Sequence, residues 1–223
     1  MSNRLTPPSH VSRHHYRLEP LVRLSDHAVI GHELLAGEKS CPAFDEDGWR
    51  NFYHFLVEEI HLILDRHKGL LFFNISGGQL IDPVILQYLQ QYPADSGRLV
   101  LEWTEQSFHD SEMPGILASI AKAKKMGYKI AVDDIGTGVD GMGRAIACKP
   151  HFGKFDGQIL MHARKAESNH HLFMRGMADA LKAHGVTVIA EFIENESDRH
   201  TDVAAGVDIG QGYLWTNAKV HRD

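Results

Sequence analysis

Residues 129–138 read K-I-A-V-D-D-I-G-T-G, and they place two adjacent acids directly after a short apolar run. An apolar run bounded by turn residues predicts a buried strand, here one that ends at Asp133 and Asp134. Neighbouring carboxylates repel each other and lose hydration at such a place, and the usual compensation is a cation. An exposed Asp-Asp pair in a glycine turn is the alternative, and this stretch by itself leaves both interpretations open.

Composition narrows the class of protein. The chain has 223 residues, 43% of them hydrophobic and 23% charged, which is enough for a sizeable core in one domain or one barrel. A formal net charge of −6 argues against binding a DNA or RNA polymer through a basic surface. Cys41 and Cys148 are far apart, so we expect neither a disulfide framework nor a thiolate zinc site, and a reducing cytoplasm is the expected location. The sequence contains no signal-peptide pattern and no long apolar run, so we expect no membrane association.

Strand and helix patterns alternate along most of the chain. Residues 1–15 lack periodicity and are expected to form a flexible tail. Two strand-like runs, 16–24 and 28–35, are joined by a hairpin-length turn, which predicts one antiparallel strand at the start. Strands are then predicted near 69–75, 98–103, 130–132, 151–155, 187–190 and 208–210, with helices near 49–66, 83–91, 113–126, 143–147, 172–184 and 196–205.

This alternation predicts a parallel α/β fold. About eight strands, without a glycine-rich dinucleotide turn after the first, favour a (β/α)8 TIM-like barrel over a doubly wound sheet. We therefore expect residues 16–223 to form a single barrel domain with an antiparallel first strand.

Polar residues recur at or near the carboxyl ends of the predicted strands. In a barrel those ends meet on one face, where active sites are built. One such residue is ordinary, but a set on successive strands is hard to assign to solvent exposure. The set is Glu33, Asn74, Glu102, Asp133, Glu191, Lys154 and Gln211.

The chemistry of this set points to a hard cation. Carboxylate and amide oxygens, without thiolate, favour Mg²⁺ or Mn²⁺ over Zn²⁺. Asp134 and Glu191 could hold a second ion with Asp133 bridging, and a two-metal site suits attack of water on a phosphodiester. Lys154 would orient that water, and it could act as a base only if the metals depressed its pKa.

Seven motifs, in order, resemble those of the EAL-domain phosphodiesterases of bacterial cyclic di-GMP signalling, over residues 16 to about 216. They are E-L-L (33–35), F-N-I-S (73–76), L-E-W-T-E (101–105), D-D-I-G-T-G (133–138), K-F-D (154–156), A-E-F-I-E (190–194) and Q-G-Y-L-W (211–215). The resemblance implies a (β/α)8-type barrel that hydrolyses cyclic di-GMP to the linear dinucleotide pGpG with Mg²⁺ or Mn²⁺. It also implies a homodimer, formed near the loop that follows the two aspartates.

The resemblance assigns a role to each matching residue. Lys154 would position the water with Asp156 beside it, and Glu105 would steady the loop after the two aspartates. Leu35, Glu194 and Gln211 would support the bound nucleotide. The implied metal ligands are Glu33, Asn74, Glu102, Asp133, Asp134 and Glu191.

Several residues depart from the family pattern. Gly37 stands where the family usually has an arginine that grips a substrate phosphate, which we expect to cost about 1.5–3 kcal/mol of binding. Phe192 replaces a glycine beside a metal ligand, and the loop at 139–142 reads V-D-G-M in place of aromatic and serine residues.

Three functions therefore remain open. The first is an active cyclic di-GMP phosphodiesterase. The second is a silent EAL domain that acts as a nucleotide receptor or through a regulatory protein partner. The third is another metal-dependent barrel enzyme acting on a different phosphoester.

Overall fold

The computed structural model of the chain describes residues 16–36, 46–91, 97–104, 109–136, 141–164 and 170–216. Within them, eight strands follow one another around a closed barrel. The first strand, β1 (Tyr16–Arg23), runs antiparallel to its neighbours β2 (Val29–Ala36) and β8 (Ile209–Gly210). The other neighbouring pairs are parallel, so both the barrel and its antiparallel first strand are confirmed. The tail predicted over 1–15 lies outside the described residues.

The predicted elements occur within a few residues of their expected bounds. The other strands are β3 (Leu70–Ile75), β4 (Leu99–Trp103), β5 (Lys129–Ile135), β6 (Phe152–Phe155) and β7 (Thr187–Ala190). The helices are α1 (Glu46–Arg66), α2 (Gly77–Ile81), α3 (Pro83–Gln91), α4 (Met113–Lys125), α5 (Gly141–Cys148), α6 (Gly157–Ala163), α7 (His170–Ala183), α8 (Glu196–Ala204) and α9 (Tyr213–Thr216).

Three short helices were not predicted: α2, α6 and α9. Two of them begin at side-chain caps. Ser76 and Gln79 form a reciprocal capping box at the start of α2, and the Asp156 side chain accepts a hydrogen bond from the Gln158 backbone N–H at the start of α6. All three are too short to show a helical period, and glycines at or beside their first residues resemble turn signals.

Apolar layers lie on both sides of the strands, one outside the barrel and one inside it. The larger one fills the space between the strands and the helices and includes Trp103, Tyr53 and Leu56. The smaller one lies inside the barrel, with one residue from each of seven strands: Leu21, Phe72, Val100, Ala131, Phe152, Ile189 and Ile209. The barrel is therefore packed at this level and does not form an open channel.

Among the described helices, none combines the length and the apolar character needed to cross a bilayer.

Candidate active site

A polar layer lies directly above the inner apolar layer. In a strand, residues two apart point to the same face, so each inner apolar residue is followed on its strand by an inward-facing residue two positions further on. On the parallel strands those residues are Asn74, Glu102, Asp133, Lys154, Glu191 and Gln211, each two positions after an inner apolar residue. The predicted set is therefore brought together at the carboxyl ends of the strands.

The first strand adds a member that the sequence analysis missed. Because β1 runs in the opposite direction, its polar residue comes two positions before Leu21, which is Glu19. Glu19 pairs across the strands with Glu33, just as Leu21 pairs with Gly31. The alternation of polar and apolar residues in β1 is visible in the sequence, but Glu19 is placed in the polar layer only when the antiparallel direction of β1 is taken into account.

Lys154 is the centre of this layer. Its ammonium Nζ lies 2.7 Å from Glu102 Oε1, 2.6 Å from Glu191 Oε1 and 3.2 Å from Glu33 Oε2. Both Lys154 and Glu102 are 1% exposed. Burial acts to lower the pKa of Lys154, but the surrounding carboxylates outweigh it and hold that pKa well above its usual range. In this arrangement Lys154 keeps its proton and acts as a hydrogen-bond donor.

Glu33 is held by three donors. Asn74 Nδ2 donates to its Oε1 at 3.0 Å, whereas Lys154 and Gln211 Nε2 donate to its Oε2, the latter at 2.7 Å. Burial opposes ionisation, but Lys154 and the two amide donors together lower the pKa of Glu33. Glu33 is therefore a fixed, charged carboxylate at the mouth of the barrel.

Glu102 and Glu191 show the opposite shift. Burial raises the pKa of Glu102 well above its usual range, and it raises that of Glu191 to about 7, despite the attraction of Lys154. Four acids (Glu33, Glu102, Asp133 and Glu191) thus surround the buried ammonium of Lys154, and an additional cation would offset the excess negative charge.

The two aspartates lie at an irregular place in the barrel. The pairing of β5 with β6 shifts register between Val132 and Ile135, and Asp134 has a positive φ of 55°. The Asp134 backbone N–H donates to Asp133 Oδ1 at 3.0 Å. This irregularity breaks the strict alternation of the strand next to the site, as bulges beside active sites often do.

Arginines hold the backbone on both sides of the polar layer. Buried Arg144, on α5, donates to the carbonyl oxygens of Trp103 and Asp133 at 3.0 and 2.7 Å. Arg164, after α6, donates to the carbonyl oxygens of Glu191 and Phe192 at 3.1 and 2.6 Å. Neither residue was predicted, because a positioning arginine far along the chain carries no local sequence signal.

The donor set fits a hard divalent cation. Asn74 Oδ1 and Glu102 Oε2 are buried and have no hydrogen-bond partner among the described residues. Such oxygens are what Mg²⁺ or Mn²⁺ would accept as ligands. Within the part of the chain that the structure describes, however, no three acidic, histidine or cysteine side chains already stand in a metal-binding arrangement. The carboxylates point instead at the Lys154 ammonium, so metal binding requires them to turn.

A cavity of about 250 Å³ opens beside the polar layer. Glu19, Glu33, Glu191 and Gln211 form its inner side. Leu35 lines it as well, together with Arg17 and the exposed rings of Phe192 and Tyr213. The Phe192 ring also leans on Gly157, where an added Cβ would come within 2.3 Å of that ring.

The remaining predicted site residues lie outside the polar layer or outside the described residues. Asp156 caps α6, with its Oδ1 2.6 Å from the Gln158 backbone nitrogen. Glu194 is exposed, and its backbone N–H donates to Asp198. Glu105, Gly37 and residues 139–140 of the altered loop lie outside the described residues.

The fold and the site define a barrel protein with an acidic centre at the carboxyl ends of its strands. Residues 52–218 match the model of the EAL domain family, so the chain belongs to that family. The match begins after β2, and the position of Glu33 as a candidate ligand therefore depends on the geometry described above.

Two curated relatives illustrate the sequence similarity. The chain is 29% identical over 131 residues to the probable cyclic di-GMP phosphodiesterase PdeA of Escherichia coli, covering 58% of this chain and 18% of that protein. It is 25% identical over 223 residues to the cyclic di-GMP phosphodiesterase TpdA of Vibrio parahaemolyticus, covering 90% of this chain and 36% of that protein. The chain thus spans well under half the length of either relative.

Solved structures agree with the fold. An EAL domain protein from Listeria monocytogenes superimposes with a TM-score of 0.76 at 18% identity, covering 90% of this chain and 87% of that one. The manganese and cyclic di-GMP complex of Klebsiella pneumoniae BlrP1 gives a TM-score of 0.73 at 20% identity, covering 91% of this chain and 55% of that one.

Proposed function

We propose that this chain is a metal-dependent phosphodiesterase that hydrolyses cyclic di-GMP to linear pGpG. The observation that carries the proposal is the polar layer. Each position at which the family is expected to have a metal ligand carries a suitable side chain, and seven residues of the layer lie at the ends of successive strands, around one centre. Relatives named cyclic di-GMP phosphodiesterases support the substrate, and the manganese and cyclic di-GMP complex of BlrP1 supports both the substrate and the metal.

The proposed metal ligands form two groups. Glu33, Asn74, Glu102 and Asp133 would hold one Mg²⁺ or Mn²⁺, and Asp134 and Glu191 would hold a second, with Asp133 shared. When bound, the pair would lower the pKa of the attacking water and neutralise charge on the phosphodiester.

The chain's own residues would then orient the reactants. Lys154 would donate a hydrogen bond to the oxygen of the attacking water, because its pKa keeps it protonated. Gln211 would fix Glu33 through the 2.7 Å hydrogen bond, and Leu35 would contact the nucleotide in the cavity. Glu105, Asp156 and Glu194 keep the supporting roles that the resemblance implies.

A receptor that binds cyclic di-GMP without hydrolysing it is the second candidate. It is favoured by the Lys154 ammonium, which lies 2.6–3.2 Å from three carboxylates and competes with a metal for them. The absence of the usual arginine at Gly37 would also weaken turnover. A homodimer, a regulatory protein partner and a cytoplasmic location are further parts of the proposal.

Hydrolysis and binding assays of the wild type and of the Glu33→Gln variant separate the two candidates. The amide keeps the size of Glu33 but loses the charge of a proposed metal ligand, so we expect turnover with Mg²⁺ to fall about 100-fold or more, since even residues that only support metal ligands typically cost about 10- to 100-fold when mutated. Glu58→Gln, on the exposed surface of α1, is the control and should match the wild type. If the wild-type protein binds cyclic di-GMP tightly yet yields no pGpG, the receptor function replaces the enzyme.

A further inference from the structure

The cavity beside the polar layer is lined by a cation, Arg17, that the proposed function does not yet use. We propose that Arg17, on β1, is the residue that binds a phosphate of the nucleotide in this protein. The inference rests on the proposed function, since it names a contact to the same substrate.

The strand pairing places Arg17 opposite a residue that lines the cavity. Arg17 lies opposite Leu35 in the antiparallel pair of β1 and β2. Leu35 is two residues before Gly37 in the sequence. Because residues two apart on a strand share a face, Arg17 lies on the same face of β1 as Glu19 and Leu21, the face that carries the polar layer.

The charge of the cavity favours a cationic side chain as the phosphate contact. Three carboxylates line it, those of Glu19, Glu33 and Glu191, and they would repel a phosphodiester. Of the described residues that line the cavity, Arg17 is the one that carries positive charge. The Lys154 ammonium is 1% exposed and is already paired with acids, so it is poorly placed to bind a phosphate in the cavity.

Arg17 is free to exchange its present partner. Its Nη2 lies 3.2 Å from Glu19 Oε1, and its side chain is 63% exposed. An ion pair this exposed is weak, whereas a guanidinium binds phosphate through two parallel hydrogen bonds. Glu19 would keep a partner after the exchange, because Gln211 Nε2 donates to its Oε2 at 3.1 Å.

The neighbouring aromatic rings agree with a nucleotide as the occupant. Phe192 and Tyr213 line the same cavity and are 55% and 60% exposed. Exposed rings beside a cation offer a surface on which a base can stack while its phosphate is bound. Phe192 stands where the family usually has glycine, so this ring is one of the chain's departures from the family pattern.

Steady-state kinetics of Arg17→Met tests the proposal. Methionine keeps most of the length of the side chain and removes its charge. We expect KM for cyclic di-GMP to rise about tenfold and kcat to change less than about twofold. A tenfold loss of binding is at the low end of the range for a charge-assisted hydrogen bond, which we expect because the guanidinium is exposed. Arg17→Lys should recover part of the loss, because a point charge remains.

Arg23→Met is the matched control. Arg23 lies on the same strand at the opposite end of the barrel, with a half-exposed side chain paired to Asp26. We expect its KM to equal that of the wild type. Thermal unfolding midpoints of the two variants should agree, which confirms that Arg17→Met folds.

The outcomes distinguish this inference from the proposed function. If the wild type hydrolyses cyclic di-GMP and Arg17→Met has the same KM as Arg23→Met, the inference is wrong and the enzyme stands. If the wild type binds without turnover, the same comparison of Kd values decides the role of Arg17. If the wild type neither binds nor hydrolyses the nucleotide, both proposals fail.

Discussion

At the scale of single residues, Lys154 is tightly constrained by its burial and by three carboxylates. A buried ammonium surrounded by carboxylates neutralises charge that has no other described counterpart in the barrel. Removing one partner of a buried ion pair leaves uncompensated charge, which is more destabilising than the pair itself is stabilising. Lys154 therefore serves the stability of the unliganded protein as well as the proposed chemistry.

We expect Lys154→Met to lower the free energy of unfolding by about 3–5 kcal/mol in the presence of a chelator. Millimolar Mg²⁺ should restore a large part of that loss, because a divalent cation can take the place of the ammonium among the carboxylates. Urea denaturation with and without Mg²⁺ measures both effects. Lys182→Met, which removes an exposed lysine paired with Asp208, is the control. An equal loss with and without Mg²⁺ would mean that the centre does not bind the metal.

At the scale of elements, the segment between β7 and α8 is shaped by a buried ion pair. Arg164 Nη2 lies 2.7 Å from Asp202 Oδ2, and Asp202 is fully buried. The same guanidinium donates hydrogen bonds to the carbonyl oxygens of Glu191 and Phe192. Phe192 has a φ of 54°, which is unusual for a residue other than glycine. Asp202 thus fixes the arginine that fixes the backbone of a proposed metal ligand.

The pH dependence of stability should reveal Asp202. Burial raises its pKa from 3.8 to about 6, in spite of the hydrogen bond and charge of Arg164. The folded state therefore holds this proton more tightly than the unfolded state, and the contribution of Asp202 to stability falls as the pH rises from about 4 to about 6 and is constant above that.

Asp202→Asn removes this titration. We expect the free energy of unfolding of the wild type, relative to the variant, to decline by about 3 kcal/mol across that window. Urea denaturation of both proteins at a series of pH values measures the difference. A relative stability that increases with pH would contradict the expectation, and it would mean that the ion pair with Arg164 outweighs burial.

Among the individual elements, the sequence predicts those with a clear hydrophobic pattern and misses features that depend on neighbouring elements. Helices such as α1 and α7 carry apolar stripes, and strands such as β4 are short apolar runs, so both were found close to their true bounds. The aspartates were placed at the end of a strand, but β5 continues through both of them to Ile135. Its register shift depends on the neighbouring strand β6, which the local sequence of β5 does not contain.

At the scale of the whole molecule, barrel closure explains why the site could be predicted as a set. Closing the sheet makes each strand contribute to the same inner layers, so an acid two residues beyond an inward-facing apolar residue also faces the centre. Residues held by tertiary contacts, such as Arg144 and Arg164, could not be found this way. The direction of each pKa shift also depends on distances that exist only in the folded chain. Glu33, whose pKa is lowered, and Glu102, whose pKa is raised, illustrate this.

The most direct test of the central claim is hydrolysis of cyclic di-GMP by the purified protein with Mg²⁺, with Mn²⁺ and with a chelator. We expect linear pGpG to appear with either metal and to stop when the metal is removed, because the proposed mechanism uses divalent cations to activate water. Product formation that persists in chelator would contradict the metal-dependent mechanism. No product with either metal, in a folded protein, would contradict the assignment of an enzyme.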